Sequence, residues 1–160
     1  KGVLRLLERL KKNGAPVDAL GIQSHSNYDM PNEFTKAKQR EWRKFVDEVV
    51  GMGLEIYLTE FDVNDTRLGP DKALRDRLIA QYTKEYLDLM FSYEQVKDVL
   101  MWGMVDHQSW LQDFLPRNDG VAKRPTVYDE NYQPKAMRTA IAEALKAAPA
   151  RAPGPGFATE

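Results

Sequence analysis

The sequence predicts an α/β fold built on a parallel sheet, and three observations predict it. Helical and strand patterns alternate in the order α-β-α-β-α-β-α; glycine or proline punctuates several of the changes; and polar and aromatic residues gather just past the end of each predicted strand. Strands joined through helices run parallel, in a sheet closed into a barrel or left open. Three strands cannot close a barrel alone, so the pattern fits part of a larger fold better than a complete small domain.

The first helix is marked by Val3, Leu6, Leu7 and Leu10, spaced by three and four, and Gly14 can end it. Val17 to Ile22 is a short apolar run that enters Gln23-Ser24-His25, a buried strand leading into a loop. Trp42, Phe45, Val46, Val49 and Val50 line one face of a second helix, which Gly51 and Gly53 stop. Leu54 to Thr59, rich in Ile, Tyr, Leu and Thr, is the second strand. Pro70 and Asp71 open a third helix with Leu74, Leu78, Tyr82, Tyr86 and Leu89 on its core side. Val99 to Val105 is the third strand, a long loop runs to about Asp129, and Pro134 opens a last helix through Met137, Ile141 and Leu145. Residues 1–148 are expected to form one folded unit. Residues 149–160, where Ala, Pro and Gly dominate, are expected to be a disordered tail.

The 160 residues suffice for one domain with a sizeable core. With 23 basic and 24 acidic residues well mixed, the charge pattern offers no nucleic-acid footprint and no basic membrane face. No apolar run approaches the roughly 18 residues that span a bilayer. Cysteine is absent, which removes disulfides and thiol chemistry. The chain shows no signal-peptide pattern, and Lys1 opens straight into a helical pattern without methionine or cap, so an upstream part is expected.

Functional residues of α/β folds gather at the C-terminal ends of strands. Here those ends read Gln23-Ser24-His25, Thr59-Glu60-Phe61-Asp62 and Trp102-Gly103-Met104-Val105-Asp106. Side chains alternate along a strand, so Gln23 shares a face with His25 and Glu60 with Asp62. Two carboxylates, an imidazole and an amide then meet at one rim, beside Trp102 and Trp110. Sugar sites need such a set: aromatic rings pack on the apolar faces of pyranoses while amides and carboxylates bind hydroxyls. Each residue also has a plain reading. Glu60 can be an ion-pair partner, His25 a satisfied loop histidine, Gln23 a generic polar residue, and Trp102 and Trp110 ordinary core. Trp42 lies on a helical core stripe and is structural. Asp106 anchors its loop, and His107 has no assigned role. His25 and His107 are the only histidines, no ligand cluster is visible, and no metal or other cofactor is expected.

Taken in register, Gly21-Ile22-Gln23-Ser24-His25, Leu58-Thr59-Glu60-Phe61-Asp62, Trp102-Gly103 with Asp106 and Ser109-Trp110, and Tyr128-Asp129 followed by Tyr132-Gln133-Pro134-Lys135-Ala136 resemble the closing signatures of family-10 glycoside hydrolases. Those enzymes are retaining endo-β-1,4-xylanases with a (β/α)8 TIM barrel. The resemblance covers roughly residues 1 to 147 and implies the C-terminal part of such a barrel, about three parallel strands and four helices. It implies that Glu60 is the nucleophile that forms the glycosyl-enzyme intermediate, and that His25 bridges Glu60 and Asp62, orienting the nucleophile and tuning its charge. It implies further that Gln23 donates to the sugar hydroxyl beside the reacting carbon, that Trp102 and Trp110 wall the subsite of the attacked sugar, and that the protein is secreted or periplasmic.

Retention needs a second carboxyl, roughly 5 to 5.5 Å from the nucleophile, to protonate the leaving oxygen and then activate water. In the family it follows an Asn at the end of the fourth strand; the Asn-Glu pair of this chain, Asn32-Glu33, lies in a loop after the first predicted strand and does not match. The expectation is half an active site, with weak or no turnover of xylan or xylo-oligosaccharides in isolation. The open barrel edges are expected to be covered by the missing N-terminal half or by a homodimer. Two other functions fit the same residues: a barrel hydrolase of another β-glycan, or a non-catalytic carbohydrate-binding half-barrel.

Overall fold

A computed structural model describes residues 2–28, 34–114 and 116–151. The helices are α1 (Gly2–Lys12), α2 (Lys36–Gly51), α3 (Lys72–Phe91) and α4 (Ala136–Ala147); the strands are β1 (Ala19–Ile22), β2 (His25–Asn27), β3 (Glu55–Asn64) and β4 (Val96–Met101). Every strand pairing is parallel, as the alternating pattern requires. β3 is central: β1 and then β2 pair along one side of it, and β4 pairs along the other. Among the described residues the outer edges of β1, β2 and β4 have no strand partner.

Ile56, Leu58, Phe61 and Val63 of β3 are fully buried and mark its helix-covered face. Val46 and Val49 of α2 and Ile79, Leu87 and Met90 of α3 complete the centre of the core without exposure to solvent. The indole N–H of Trp42 donates to Sδ of Met90 at 3.0 Å, tying α2 to α3, so Trp42 has the structural place its stripe implied. α3 starts where Asp71 accepts from the Leu74 N–H at 2.9 Å, and α2 where Thr35 accepts from Lys38 N–H at 3.3 Å; each side chain satisfies an otherwise unpaired N-terminal donor. α2 runs out at Gly51, and the chain turns at Gly53 with φ +74°, a left-handed conformation that favours glycine.

The structure differs from the sequence reading at several boundaries. The first predicted strand, Val17 to Ile22, starts only at Ala19, and where a loop was expected a further short strand follows: after Ser24, with φ +64°, His25 opens β2. β3 continues past Thr59 to Asn64, so Glu60 and Asp62 stand within a strand. β4 begins at Val96 and ends at Met101, before Gly103, whose φ is +111°. Three helices turn a shifted face to the core: Val3 and Leu6 of α1, Leu74 of α3 and Leu145 of α4 are exposed, while Leu4 of α1, Arg75 and Ile79 of α3 and Ala140 and Ala144 of α4 are buried. The physical reason is that the buried face of each helix is set by its packing against the sheet and neighbouring helices, which apolar spacing alone does not specify. Leu145 and Ile141 instead border a depression of about 290 Å³ beside the free edge of β4. Residues 152–160, most of the predicted tail, and the Asn32-Glu33 pair lie outside the described residues.

From Trp102 to Lys135 the described residues form two 3₁₀ turns, Asp106–Gln108 and Trp110–Gln112, and two isolated β-bridges, Val105 with Tyr128 and Tyr128 with Pro134, so many polar backbone groups need other partners. Charged side chains supply them. Arg117 donates to the carbonyls of Asp65 and Leu68 at 2.8 and 2.7 Å, and Lys123 donates to the carbonyl of Phe114 at 2.6 Å. Arg75 and Asp65 form an ion pair with no solvent exposure, and Arg75 also donates to the carbonyl of Ala122.

Candidate active site

β3 carries one residue too many for its neighbours. Ile22 pairs with Leu58 and His25 with Asp62, so Gln23 and Ser24 face the three residues Thr59, Glu60 and Phe61. Against β4 the same local excess falls between the Leu58↔Val99 and Phe61↔Met101 pairs, following an opposite shift in which β4 carries the extra residue between Ile56↔Val96 and Tyr57↔Asp98. An extra residue in a strand switches the face of everything after it. Ile56 and Leu58 are buried under the helices before the bulge, and Phe61 and Val63 after it. Unbroken alternation from Leu58 would have sent Glu60 toward the helices; the bulge turns Glu60 and Asp62 to the open face instead. The Glu60 N–H still donates to the carbonyl of Gln23 at 2.9 Å, which holds the bulged segment against β1.

On that face the side chains form one connected chain. His25 Nε2 lies 3.0 Å from Oε2 of Glu60, and His25 Nδ1 lies 3.0 Å from Oδ1 of Asp62. The Gln23 amide donates to Oε1 of Glu60 at 3.3 Å, and the Trp110 indole N–H donates to Oδ2 of Asp62 at 2.8 Å. A neutral imidazole donates through one nitrogen only; satisfying both carboxylates when both are ionised takes the doubly protonated ring. Asp62 is 1% exposed, and burial pushes its carboxyl above the usual range, against the pull of the Trp110 and His25 N–H groups. The Glu60 side chain keeps 22% of its surface open. The site thus holds one buried carboxylate that orients a histidine and one accessible carboxylate anchored on both oxygens.

Aromatic rings surround this chain. His25 lies 5.1 Å from the ring of Trp110 and 6.3 Å from that of Trp102, centroid to centroid, and both indoles remain substantially exposed. The six residues expected at the rim, Gln23, His25, Glu60, Asp62, Trp102 and Trp110, are therefore brought together. Asp106 is a buried anchor: Lys135 donates to its two oxygens at 3.0 and 2.9 Å, and the N–H and hydroxyl of Thr126 donate to Oδ1. Burial pushes the Asp106 carboxyl up and the Lys135 ammonium down, and their direct contact opposes both. His107 stands apart from the rim set, edge-on to Tyr132. No group of three or more His, Asp or Glu among the described residues is arranged to hold a metal ion.

Sequence reasoning missed two contributors. Phe114, half exposed, packs 4.7 Å from Trp110 and prolongs the aromatic wall; its place four residues after Trp110 was the available signal. Ser24 was read only as a link between Gln23 and His25, and a left-handed serine has no sequence signature.

The model of glycosyl hydrolase family 10 matches residues 1–144. Endo-1,4-beta-xylanase B of Thermotoga neapolitana is 27% identical over 144 residues, covering 90% of this chain and 38% of that protein. The crystal structure of native xylanase 10B from Thermotoga maritima superposes with a TM-score of 0.76 at 29% identity, over 90% of this chain and 41% of that one. Xylanase 10B from Thermotoga petrophila RKU-1, solved in complex with xylobiose, matches with the same score, identity and coverage. The chain thus spans about two fifths of the length of these relatives, and its sheet and helices correspond to part of their TIM barrel.

Proposed function

The chain belongs to glycosyl hydrolase family 10, and from that premise we propose that the protein it represents hydrolyses internal β-1,4 bonds of xylan with net retention. The observation that carries this reading is the anchoring of Glu60 by Gln23 on one oxygen and His25 on the other, with its surface still open to a ligand. A carboxylate held so attacks along one line, and fixing the geometry beforehand lowers the barrier. In the first step an oxygen of Glu60 bonds to the anomeric carbon as the bond to the leaving oxygen breaks. That oxygen takes a proton from an acid/base carboxyl, which lies in the part of the protein outside this chain. In the second step the same carboxyl removes a proton from water, the water oxygen bonds to the anomeric carbon, and Glu60 is released.

His25 and Asp62 keep the nucleophile oriented, Trp102 and Trp110 pack against the pyranose faces, and Gln23 donates to the hydroxyl beside the reacting carbon. The substrate is xylan or a xylo-oligosaccharide, and the rest of the barrel covers the open edges of β1, β2 and β4. A depression of about 480 Å³ lined by Gln23, His25, Asn27, Trp42, Tyr82 and Tyr86 runs along the β1–β2 edge and supports that docking. The family resemblance, and the size of xylan as a substrate, support a secreted or periplasmic protein.

The test is covalent trapping with an activated 2-fluoro-xyloside on the chain joined to the remaining barrel. One label per molecule on Glu60, and none in Glu60→Ala, is the expected result. A label on another carboxylate would overturn the nucleophile assignment, and no label on a folded, complete protein would overturn the function.

A further inference from the structure

Ser24 separates Gln23 from His25 and holds φ +64°, one of two left-handed residues other than glycine among those described. Such a conformation persists in a side-chain-bearing residue only where its surroundings hold it. The shorter of the two contacts of its side chain reaches across the fold: Ser24 Oγ and the hydroxyl of Tyr86 are 2.8 Å apart, while Ser24 Oγ also donates locally to the carbonyl of Ile22 at 3.4 Å. Tyr86 lies in α3 on the far side of the sheet from the carboxylates and is 4% exposed. Its ring stacks on Phe61 at 5.6 Å and 21°, and Phe61 stands between Glu60 and Asp62. A single side chain therefore supports both strands from behind, at the residue between Gln23 and His25 and at the residue between the two carboxylates. Burial pushes the phenol above its ordinary range, so it remains a neutral O–H with a proton to share.

We propose that Tyr86 is a positioning residue for the active site: its hydroxyl, bonded to Ser24, fixes the break between β1 and β2 that aims His25 at Glu60 and Asp62. In a regular strand nothing obliges the segment after Ile22 to slip by one residue against β3. The left-handed Ser24 sits within that slip, and His25 resumes pairing opposite Asp62 immediately after it. The consequence for turnover rests on the hydrolase reading above; the geometric part does not.

Both parts are tested by Tyr86→Phe, which keeps the ring on Phe61 and removes the hydroxyl alone. In the chain itself, proton NMR reads the imidazole N–H of His25 bonded to Asp62, with the Trp42 indole N–H reporting on the intact core. The expected result is loss or displacement of the His25 resonance with the Trp42 resonance unmoved. In the complete enzyme, Tyr86→Phe should lower kcat about tenfold with little change in KM, as misplacement of a catalytic group does. Ser24→Ala should lower kcat at least as much, since it also removes the bond to the Ile22 carbonyl, and the double variant should lose no more than Ser24→Ala alone, because Tyr86→Phe then has no further bond to remove. An unmoved His25 resonance in Tyr86→Phe, or losses that multiply in the double variant, would overturn the proposal. If Tyr86→Phe fails to fold, seen as collapse of the Trp42 signal, Ser24→Ala decides alone, since Ser24 is only part-buried. Absence of turnover in the complete wild-type enzyme would count against the hydrolase reading while the His25 resonance still decides the role of Tyr86.

Discussion

His25 Nδ1 and the Trp110 indole N–H converge on the two oxygens of Asp62. An amide in place of this carboxylate keeps one acceptor oxygen and turns an NH₂ toward the other donor, so Asp62→Asn leaves either the imidazole or the indole unpaired. In the complete enzyme this is expected to slow labelling by the activated 2-fluoro-xyloside about 10²-fold, with the label still on Glu60. Labelling at the wild-type rate would show that His25 needs no support from Asp62. In the complete enzyme Glu60→Ala is expected to abolish turnover and leave the fold intact, because its side chain reaches an open face rather than the core; circular dichroism and a hydrolysis assay measure the two halves of that statement.

At the scale of elements, the 102–135 segment decides whether the aromatic wall stays in place. Its anchor is the Asp106–Lys135 pair, with each side chain 4% exposed or less. Removing one partner of a buried pair leaves a charge without compensation, which costs about 3 kcal/mol or more. Lys135→Met is therefore expected to lower stability by about that amount in urea denaturation. Asp106→Leu combined with Lys135→Met should recover part of the loss. Equal stability of Lys135→Met and wild type would show that the Thr126 donors and the Arg124 guanidinium, 3.8 Å from Asp106, suffice for it. The N-cap of α3 is a smaller case: Asp71→Ala removes one bond to a helix terminus and should cost about 1 kcal/mol.

For the whole molecule, acid stability follows from two pairs of carboxylates with opposite shifts. Arg117 holds Asp119 down to about 2, and Lys72, with a backbone bond and Arg124, holds Glu130 down to about 2. Their unfolded counterparts titrate near 4, so between about pH 4 and pH 2 the unfolded chain binds more protons, and this stabilisation, complete above that window, is lost as pH falls through it. Asp62 and Asp106 are raised by burial, so above about pH 4 the folded chain holds more protons and stability declines as pH rises through their window. The urea midpoint is accordingly expected to be higher near pH 4 to 5 than at pH 2 or pH 7; a steady rise from pH 2 to 7 would contradict this. The open strand edges act at the same scale. Unpaired backbone groups and exposed apolar area, at about 25 cal/mol per Å², favour covering them. The isolated chain is expected to self-associate in light scattering, and to yield to a one-to-one complex when the rest of the barrel is supplied. A well-folded monomer at micromolar concentration would refute this.

The alternation of helices and strands, the parallel sheet and the meeting of Gln23, His25, Glu60, Asp62, Trp102 and Trp110 at one rim were determined by sequence alone. They depend on local periodicity and on residue types at strand ends, which are properties of short windows. The break at Ser24, the extra residue in β3, the early end of β4 and the exposure of Leu74 and Leu145 were decided only in the tertiary structure. Each depends on partners outside the local window: Tyr86 for Ser24, two neighbouring strands for the bulge, and the packing of neighbouring elements for the helical faces. The sharing of a face by Glu60 and Asp62 was legible because alternation holds over three residues. Which face they share was not, because a single inserted residue reverses it, and that reversal is fixed by hydrogen bonds to strands that the local sequence does not contain.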